Sequence, residues 1–294
     1  MATLRDMRLR IQSVHNLSQV TRALQTVSAS RVRQAMNAYQ ATKPYADMAW
    51  QLLSDLAKQP GIEEAHPLLA PREKINRVLA VMISSDRGLA GAYNVDILRT
   101  TLDFFGPLGH PISYMAIGRK GRELLFRRGE SIYAEYSNLP NAPAFEEISF
   151  VGRMAVDEYL EGTFDEVYVA YTEFFSMGRQ VPRVIRVLPI AETLPAEERG
   201  RPQSVFTYEP SEEEIISEIA PRFVGIQFYQ ALLSAQASEH AARMVAMRNA
   251  SDNATSLIGV LELEYNQARQ QAITSEMLDI AGGTEALRSP AGEG

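Results

Sequence analysis

The sequence predicts an α/β protein in which long N- and C-terminal helices pair as an antiparallel coiled coil around a central α/β domain. Three observations carry this. The first 58 residues contain no glycine, and their only proline is Pro44, so a long helix is permitted over most of that segment. Near the other end, Ile219, Phe223, Ile226, Gln230, Leu233, Ala237, His240, Met244, Met247, Ser251, Ala254, Ile258, Leu261, Tyr265, Ala268 and Ala272 alternate in steps of four and three. A seam kept over that many heptads belongs to a coiled coil. Between the two ends, apolar runs alternate with helical patterns.

The N-terminal helix occupies residues 1–58, with Leu4, Met7, Ile11, Val14, Val20, Leu24, Val27, Val32, Ala35 and Tyr39 forming its stripe. The middle of that stripe is thin, because Ser18, Thr21, Ser28 and Ala29 stand where Leu or Ile would pack better. Pro44 predicts a kink. The segment ends at "KQPG", Lys58 to Gly61.

A central domain is expected over residues 74–190. Strands are predicted at Arg77 to Ser84, Pro111 to Ile117, Ser131 to Tyr136, Glu166 to Tyr171 and Val181 to Pro189. Helices are predicted at Asn94 to Phe105, Lys120 to Arg128 and Phe150 to Leu160. Such alternation implies a mostly parallel sheet covered by helices. Residues 191–210 form an acidic loop. Ser211 and Glu214 then make a capping-box pattern opening a helix over residues 211–283, which Pro221 should kink or split and Gly282–Gly283 should stop. If continuous, that helix is a rod on the order of 100 Å long. Residues 284–294 read as a frayed tail.

Composition narrows the chemistry. With 294 residues, 46% of them hydrophobic, the chain can bury a real core. It has no cysteine, which removes disulfides, thiolate metal sites and a cysteine nucleophile. His15, His66, His110 and His240 lack metal-site spacing. No run approaches the ~18 apolar residues of a membrane span, and no signal peptide is evident. The net charge of -7 argues against nucleic-acid binding. That charge is uneven: Met1 to Ala46 carries seven cations against Asp6, whereas Ala191 to Ile219 carries eight glutamates against Arg199 and Arg201.

One motif tests whether this is an enzyme. "SSDRGLAGAYN" follows the first strand and precedes a helix, where a phosphate cradle would lie. It supplies only Gly88 and Gly91, short of G-x-G-x-x-G and without the lysine of a P-loop. The reading is a tight turn whose Asp86 and Arg87 satisfy the loop backbone or each other. "IGRKGREL" reads as a solvated helix start, and His240, Met244 and Tyr265 as packed seam residues. No catalytic pair or triad emerges, and no cofactor is implied.

Three stretches resemble the gamma subunit of F-type ATP synthase: "IQSVHNLSQVTRALQTVSASRVRQA", "SSDRGLAGAYN", and the C-terminal run from "ASEHAARMVAMRN" to "MLDIAGG". The resemblance spans Ile11 to Gly283. The family signature I-T-x-E-x-x-[DE]-x-x-x-G-A is met at Ile273, Thr274, Glu276, Asp279 and Gly283, with Thr284 in place of Ala. Ala90 stands where bacterial relatives usually have Cys.

The resemblance implies a coiled coil entering a ring of three alpha and three beta subunits, below it a central Rossmann-like domain not known for nucleotide binding. It implies a non-catalytic rotor shaft that couples proton-driven c-ring rotation to ATP synthesis or hydrolysis. Implied contacts are Arg269, Gln270, Thr274 and Glu276 with a loop of an open beta subunit, and a basic face of Arg8, Arg10, Arg22, Arg31 and Arg33 passing an acidic beta loop. Phe206, Tyr208 and Glu209 would form a foot on the c-ring, with the epsilon subunit alongside. Membrane association would come only through the complex, peripherally, at the cytoplasmic face of a bacterial plasma membrane. Two rivals stay open: a nucleotide-dependent enzyme with helical arms, and a coiled-coil adaptor with no rotary role.

Overall fold

The structure, a computed structural model, describes residues 3–57, 66–190 and 212–288. Its elements are α1 (Leu4–Ala57), β1 (Val78–Ile83), α2 (Tyr93–Phe105), β2 (Ile112–Ile117), α3 (Arg119–Arg128), β3 (Ile132–Tyr136), α4 (Phe145–Leu160), β4 (Glu166–Ser176), β5 (Arg179–Leu188) and α5 (Glu212–Arg288). The strands lie in the order β3-β2-β1-β4-β5. β1 pairs in parallel with β2 and β4, β2 in parallel with β3, and β5 returns antiparallel to β4. The expected α/β class is borne out. The acidic loop 191–210, the residues at "KQPG" and the cap residue Ser211 lie outside the described residues.

Every residue of β1 is buried, as a central parallel strand covered on both faces must be. Alternate side chains serve two cores. Leu79, Val81 and Ile83 pack with Ile148, Val151 and Tyr159 of α4 and with Phe223, Phe228 and Leu232 of α5. Val78, Ala80 and Met82 face Ile97, Leu98 and Phe105 of α2 and Leu125 of α3. On that second face, Phe105 meets Tyr114 and Tyr168 edge-on at centroid distances of 6.3 and 5.3 Å.

The chain divides into two compact units, residues 1–26 with 247–294, and residues 27–246. In the larger unit, α5 comes so near α4 that a Cβ on Gly152 would sit 2.6 Å from the Gly225 Cα. Glycine at position 152 permits this approach, whereas a Cβ on Gly225 would meet only the Phe145 ring, at 3.4 Å. The two long helices run antiparallel here: Trp50 meets Phe223 at 5.5 Å between centroids, and Gln230 donates to the Thr42 hydroxyl at 3.4 Å.

The smaller unit is a two-helix seam. Arg8 donates to the Tyr265 hydroxyl at 2.7 Å, and the Ser18 and Ser251 hydroxyls are 3.4 Å apart, so the helices are antiparallel here as well. On α5 the predicted seam holds from Met247 to Ala268, every member buried or half-buried. Ala272 is exposed, as is each residue from Arg269 to Thr284.

Three expectations need correction. Val20 and Val27 point to solvent, 56% and 48% exposed, and the N-terminal seam runs instead through Ser18, Thr21 and Ser28. Regular three-four alternation from Leu4 selects those small residues, so register overrides the hydrophobicity of two valines. Pro221 does not split α5; the helix is continuous from Glu212 to Arg288. Nor do Gly282 and Gly283 stop it. Neither is among the glycines with positive φ, and without that left-handed step no Schellman cap forms. The helix therefore continues into the stretch expected to be frayed.

Candidate functional site: a helix socket and exposed partner surfaces

The turn after β1 is built to hold other parts of the chain. Leu89 and Gly91 take left-handed φ values of 65° and 59°. Asp86 accepts from the backbone N–H of Arg119 at 3.0 Å and of Asn138 at 2.8 Å, fastening the loops that follow β2 and β3. Arg243 of α5 closes the turn from the other side: Nε donates to the Gly88 carbonyl at 3.3 Å, and one terminal nitrogen donates to the carbonyls of Arg87 at 3.1 Å and Gly88 at 3.3 Å. The Tyr93 hydroxyl, at the start of α2, donates to the Ala235 carbonyl at 3.1 Å. Further out on β4, the Phe174 N–H donates to Ser234 at 2.9 Å.

In doubly wound sheets the crevice at the carboxyl ends of the strands, where the strand order reverses, is the usual ligand position. Here the reversal lies between β1 and β4, and α5 occupies that edge through Ser234, Ala235 and Arg243. The motif is a tight turn, as its spacing predicts, and it serves as a socket for the chain's own helix. Asp86 satisfies neighbouring backbone as expected, whereas Arg87 contributes its carbonyl.

The "IGRKGREL" turn is more constrained than a solvated helix start. A Cβ on Gly118 would lie 2.3 Å from the Ser84 carbonyl oxygen, and one on Gly121 would lie 2.5 Å from Ser84 Oγ. Ser84 Oγ accepts from the Gly121 N–H at 2.8 Å. The glycines bring α3 against the end of β1.

His240 is a packed residue, as expected. Its Nε2 lies 2.7 Å from Asn141 Oδ1 and its Nδ1 lies 3.1 Å from an Arg243 terminal nitrogen. Arg243 has only donors, so Nδ1 accepts and Nε2–H donates. Burial, then the Arg243 and Arg31 cations, hold the His240 pKa down to about 3. Glu239 pairs with Arg243 at 2.7 Å, yet burial raises its carboxyl above the ordinary range. Burial likewise raises the Tyr93 phenol. Asn141 also reaches α1, donating to Gln34 Oε1 at 2.9 Å. Among the described residues, no cluster of three or more His, Asp or Glu side chains could hold a metal ion.

The sequence-predicted partner residues fall into three groups. Arg269, Gln270, Thr274 and Glu276 are all exposed, on the part of α5 beyond Ala268. At about 100° per residue, Arg269 and Glu276 share one face, and Gln270 with Thr274 sit a third of a turn round. Thr274 also donates to the Gln270 carbonyl at 2.9 Å. Arg10, Arg22 and Arg33 are exposed. Arg8 is tied to Tyr265 by its hydrogen bond and by stacking at 5.6 Å from the ring centroid, and Arg31 is half-buried within electrostatic reach of Glu239. Phe206, Tyr208 and Glu209 lie outside the described residues. Sequence reasoning missed Arg243, Gln236 and Asn141. Arg243 had one signal, lying three residues after a buried seam histidine.

Fold and socket together define a class: an α/β domain that grips a long helical hairpin of its own chain. Residues 3–287 match the ATP synthase family. ATP synthase gamma chains of Roseiflexus sp. (strain RS-1) and Moorella thermoacetica are 41% and 40% identical over 290 residues, covering 98% of this chain and 99% and 100% of theirs. The fold is also that of a chain in the Euglena gracilis mitochondrial ATP synthase OSCP/F1/c-ring structure, with a TM-score of 0.69 at 17% identity, covering 99% of this chain and 96% of that one. A chain of the Tetrahymena thermophila central stalk/c-ring structure gives 0.60 at 22% identity, over 79% of this chain and 99% of that one. The chain belongs to the ATP synthase gamma-chain family.

Proposed function

We propose that the chain is the central rotor shaft of an F-type ATP synthase and performs no chemistry of its own. One observation beyond family membership supports this: the two-helix seam ends at Ala268 while α5 continues to Arg288 with its side chains exposed through Thr284. Ile273, Met277 and Ile280, 48%, 62% and 64% exposed, form an apolar stripe there, with no covering helix among the described residues. Such an end suits a bearing formed by other subunits. Arg269, Gln270, Thr274 and Glu276 sit beside that stripe and would make polar contacts with one beta subunit at a time.

In this reading α1 and α5 enter the ring of alpha and beta subunits. The asymmetry of the shaft gives each beta subunit different contacts, and differential contact energy shifts its open and closed populations as the shaft turns. The basic N-terminal helix, which carries Arg8, Arg31 and Arg33, would pass an acidic beta loop; Arg33 is exposed for that contact, while Arg8 bonds Tyr265 and Arg31 lies toward Glu239. The domain division 1–58, 74–190, 191–210, 211–283 and 284–294 assigns Tyr208 and Glu209, with Phe206, to a foot on the c-ring beside the epsilon subunit. Membrane association is then indirect and peripheral, at the cytoplasmic face of a bacterial plasma membrane; no described helix is long and apolar enough to cross a bilayer.

Reconstitution with alpha and beta subunits tests the reading. One copy per ring and ATP-driven rotation of a bead on the shaft are expected. Replacing Arg269 and Glu276 together by Ala should lower ATP turnover while leaving assembly intact, since charge-assisted contacts specific to one state would be lost. A self-associating rod that ignores the ring would support the adaptor instead, and ATP binding by the isolated chain would favour the enzyme.

A further inference from the structure

We propose that the turn at residues 85–91 and the loop at residues 138–143 form one collar on the helix pair, joined by Asp86, and that this collar is the path by which torque passes between the helices and the sheet. The proposal rests on the rotor reading and assigns the work to particular groups.

The loop side is as densely bonded as the turn. Tyr229 donates to the Pro143 carbonyl at 2.8 Å. Gln236 is used at both ends of its amide: Nε2 donates to the Pro140 carbonyl at 3.0 Å, and Oε1 accepts from the Ala142 N–H at 2.8 Å. His240 donates to Asn141, and Asn141 donates to Gln34 of α1, so a single loop residue reaches both long helices. Tyr229, Gln236 and His240 are spaced by seven and four, on one face of α5. Arg243 and Ala235 lie on the adjoining face, held by the turn and by Tyr93. The loop takes an uncommon conformation to do this, with φ of 62° at Asn138 and 47° at Ala142, neither of them glycine.

Hydrogen bonds to carbonyl and amide groups resist rotation about the helix axis because they are directional, whereas apolar side chains in a seam permit slippage. The collar grips α5 on two faces, and a twist of the helix must carry both loops with it. Asp86 is where those loops meet. It accepts the N–H of Asn138 at the root of one and belongs to the other, and through Arg119 it fixes both to α3. Asp86 acts only through its neighbours and is a positioning residue.

The experiment uses the assembled complex, held at the alpha/beta ring and stalled with nucleotide, with a bead on the c-ring. Angular variance of the bead reports torsional compliance, and amide exchange of the same complex reports the collar. Asp86→Ala is expected to speed exchange at Asn138 and Arg119 on the order of tenfold, and Asp86→Asn, which keeps one acceptor, less. Loosening the joint between the two loops should raise the variance on the order of twofold. Gln236→Leu, which removes two of the loop's hydrogen bonds to α5 and leaves the turn intact, should also broaden it and decides the matter if Asp86→Ala does not fold. Tyr265→Phe, outside the collar, should leave it unchanged. Faster exchange with unaltered variance overturns the torque path while the rotor reading stands; a wild-type bead that never rotates with ATP overturns both.

Discussion

The same two helices are held in different ways in the two units. In residues 27–246 they are one layer of a larger core: Phe223, Phe228, Leu232 and Leu233 on α5 are 2%, 1%, 3% and 0% exposed, packed with α4 and the sheet. In residues 1–26 with 247–294, among the described residues, they pack on each other, and Thr21, Met247, Ala254 and Leu261 are the buried side chains, each 4–6% exposed. A third layer makes burial complete, while a two-helix seam buries one stripe and leaves the rest wet. Helix identity alone therefore says little about how firmly a segment is held.

The largest test of that contrast is a pair of truncations. Leu233→Ala should cost about 2–5 kcal/mol, because a fully packed site cannot collapse on the cavity. Leu261→Ala should fall at or below the low end of that range. Trp50, the only tryptophan, reports the larger unit. Urea unfolding followed by Trp50 fluorescence should shift for Leu233→Ala, whereas Leu261→Ala should change mainly the early helical signal in circular dichroism. Equal shifts in both probes would break the distinction.

Next comes the α4–α5 contact. Gly152→Ala places a methyl against the Gly225 backbone, and overpacking of this kind costs about 1–3 kcal/mol. Gly259→Ala, where a Cβ meets nothing within 4 Å, should instead be neutral or slightly stabilising, since alanine is the better helix former. Thermal melts of both variants give the comparison directly.

His240 sharpens it by pH. Its pKa is depressed from 6.5 to about 3 in the folded chain, so the unfolded chain binds the proton first. The stability it contributes is full above pH 6.5 and is lost as pH falls toward 3, at up to about 1.4 kcal/mol per pH unit. His240→Gln keeps an amide donor without the titration and should flatten the wild-type slope between pH 6 and 4, measured by urea midpoints. An unchanged slope would show that the imidazole is solvated.

The smallest effect is expected in the thin seam. Ser251→Ala removes a 3.4 Å hydroxyl contact with Ser18 and should stay within about 0.5 kcal/mol. A larger loss in the helical signal would mean that the two hydroxyls, and not the flanking Met247 and Ala254, set the register there.

Much of this was legible in advance because it depends on local periodicity. The seam from Ile219 to Ala268 and all eight central elements follow from spacing, with their order along the chain intact. Where spacing and hydrophobicity disagreed, spacing won: Val20 and Val27 are outside and Thr21 and Ser28 inside. The first turn of α4 was missed because Pro143 masks it, although Glu147, which accepts from the Ala144 N–H at 2.7 Å, is an acidic helix-start signal. Strand β4 runs on to Ser176 because it pairs with β5 beyond the shared sheet. The collar could not be read. It brings residues 86, 138 and 243 together, and no local pattern encodes meetings so remote in sequence.

The filled crevice has a consequence of its own. A metabolite held at that edge would come and go with its concentration, and the stiffness of the joint would follow cellular supply. A segment of the same chain is supplied at the effective concentration of a tethered ligand, fixed by covalent connectivity. Its occupancy is set once, at folding, and is indifferent to dilution. An architecture widely used for sensing small molecules thereby becomes a permanent mechanical fitting, whose performance depends on sequence alone.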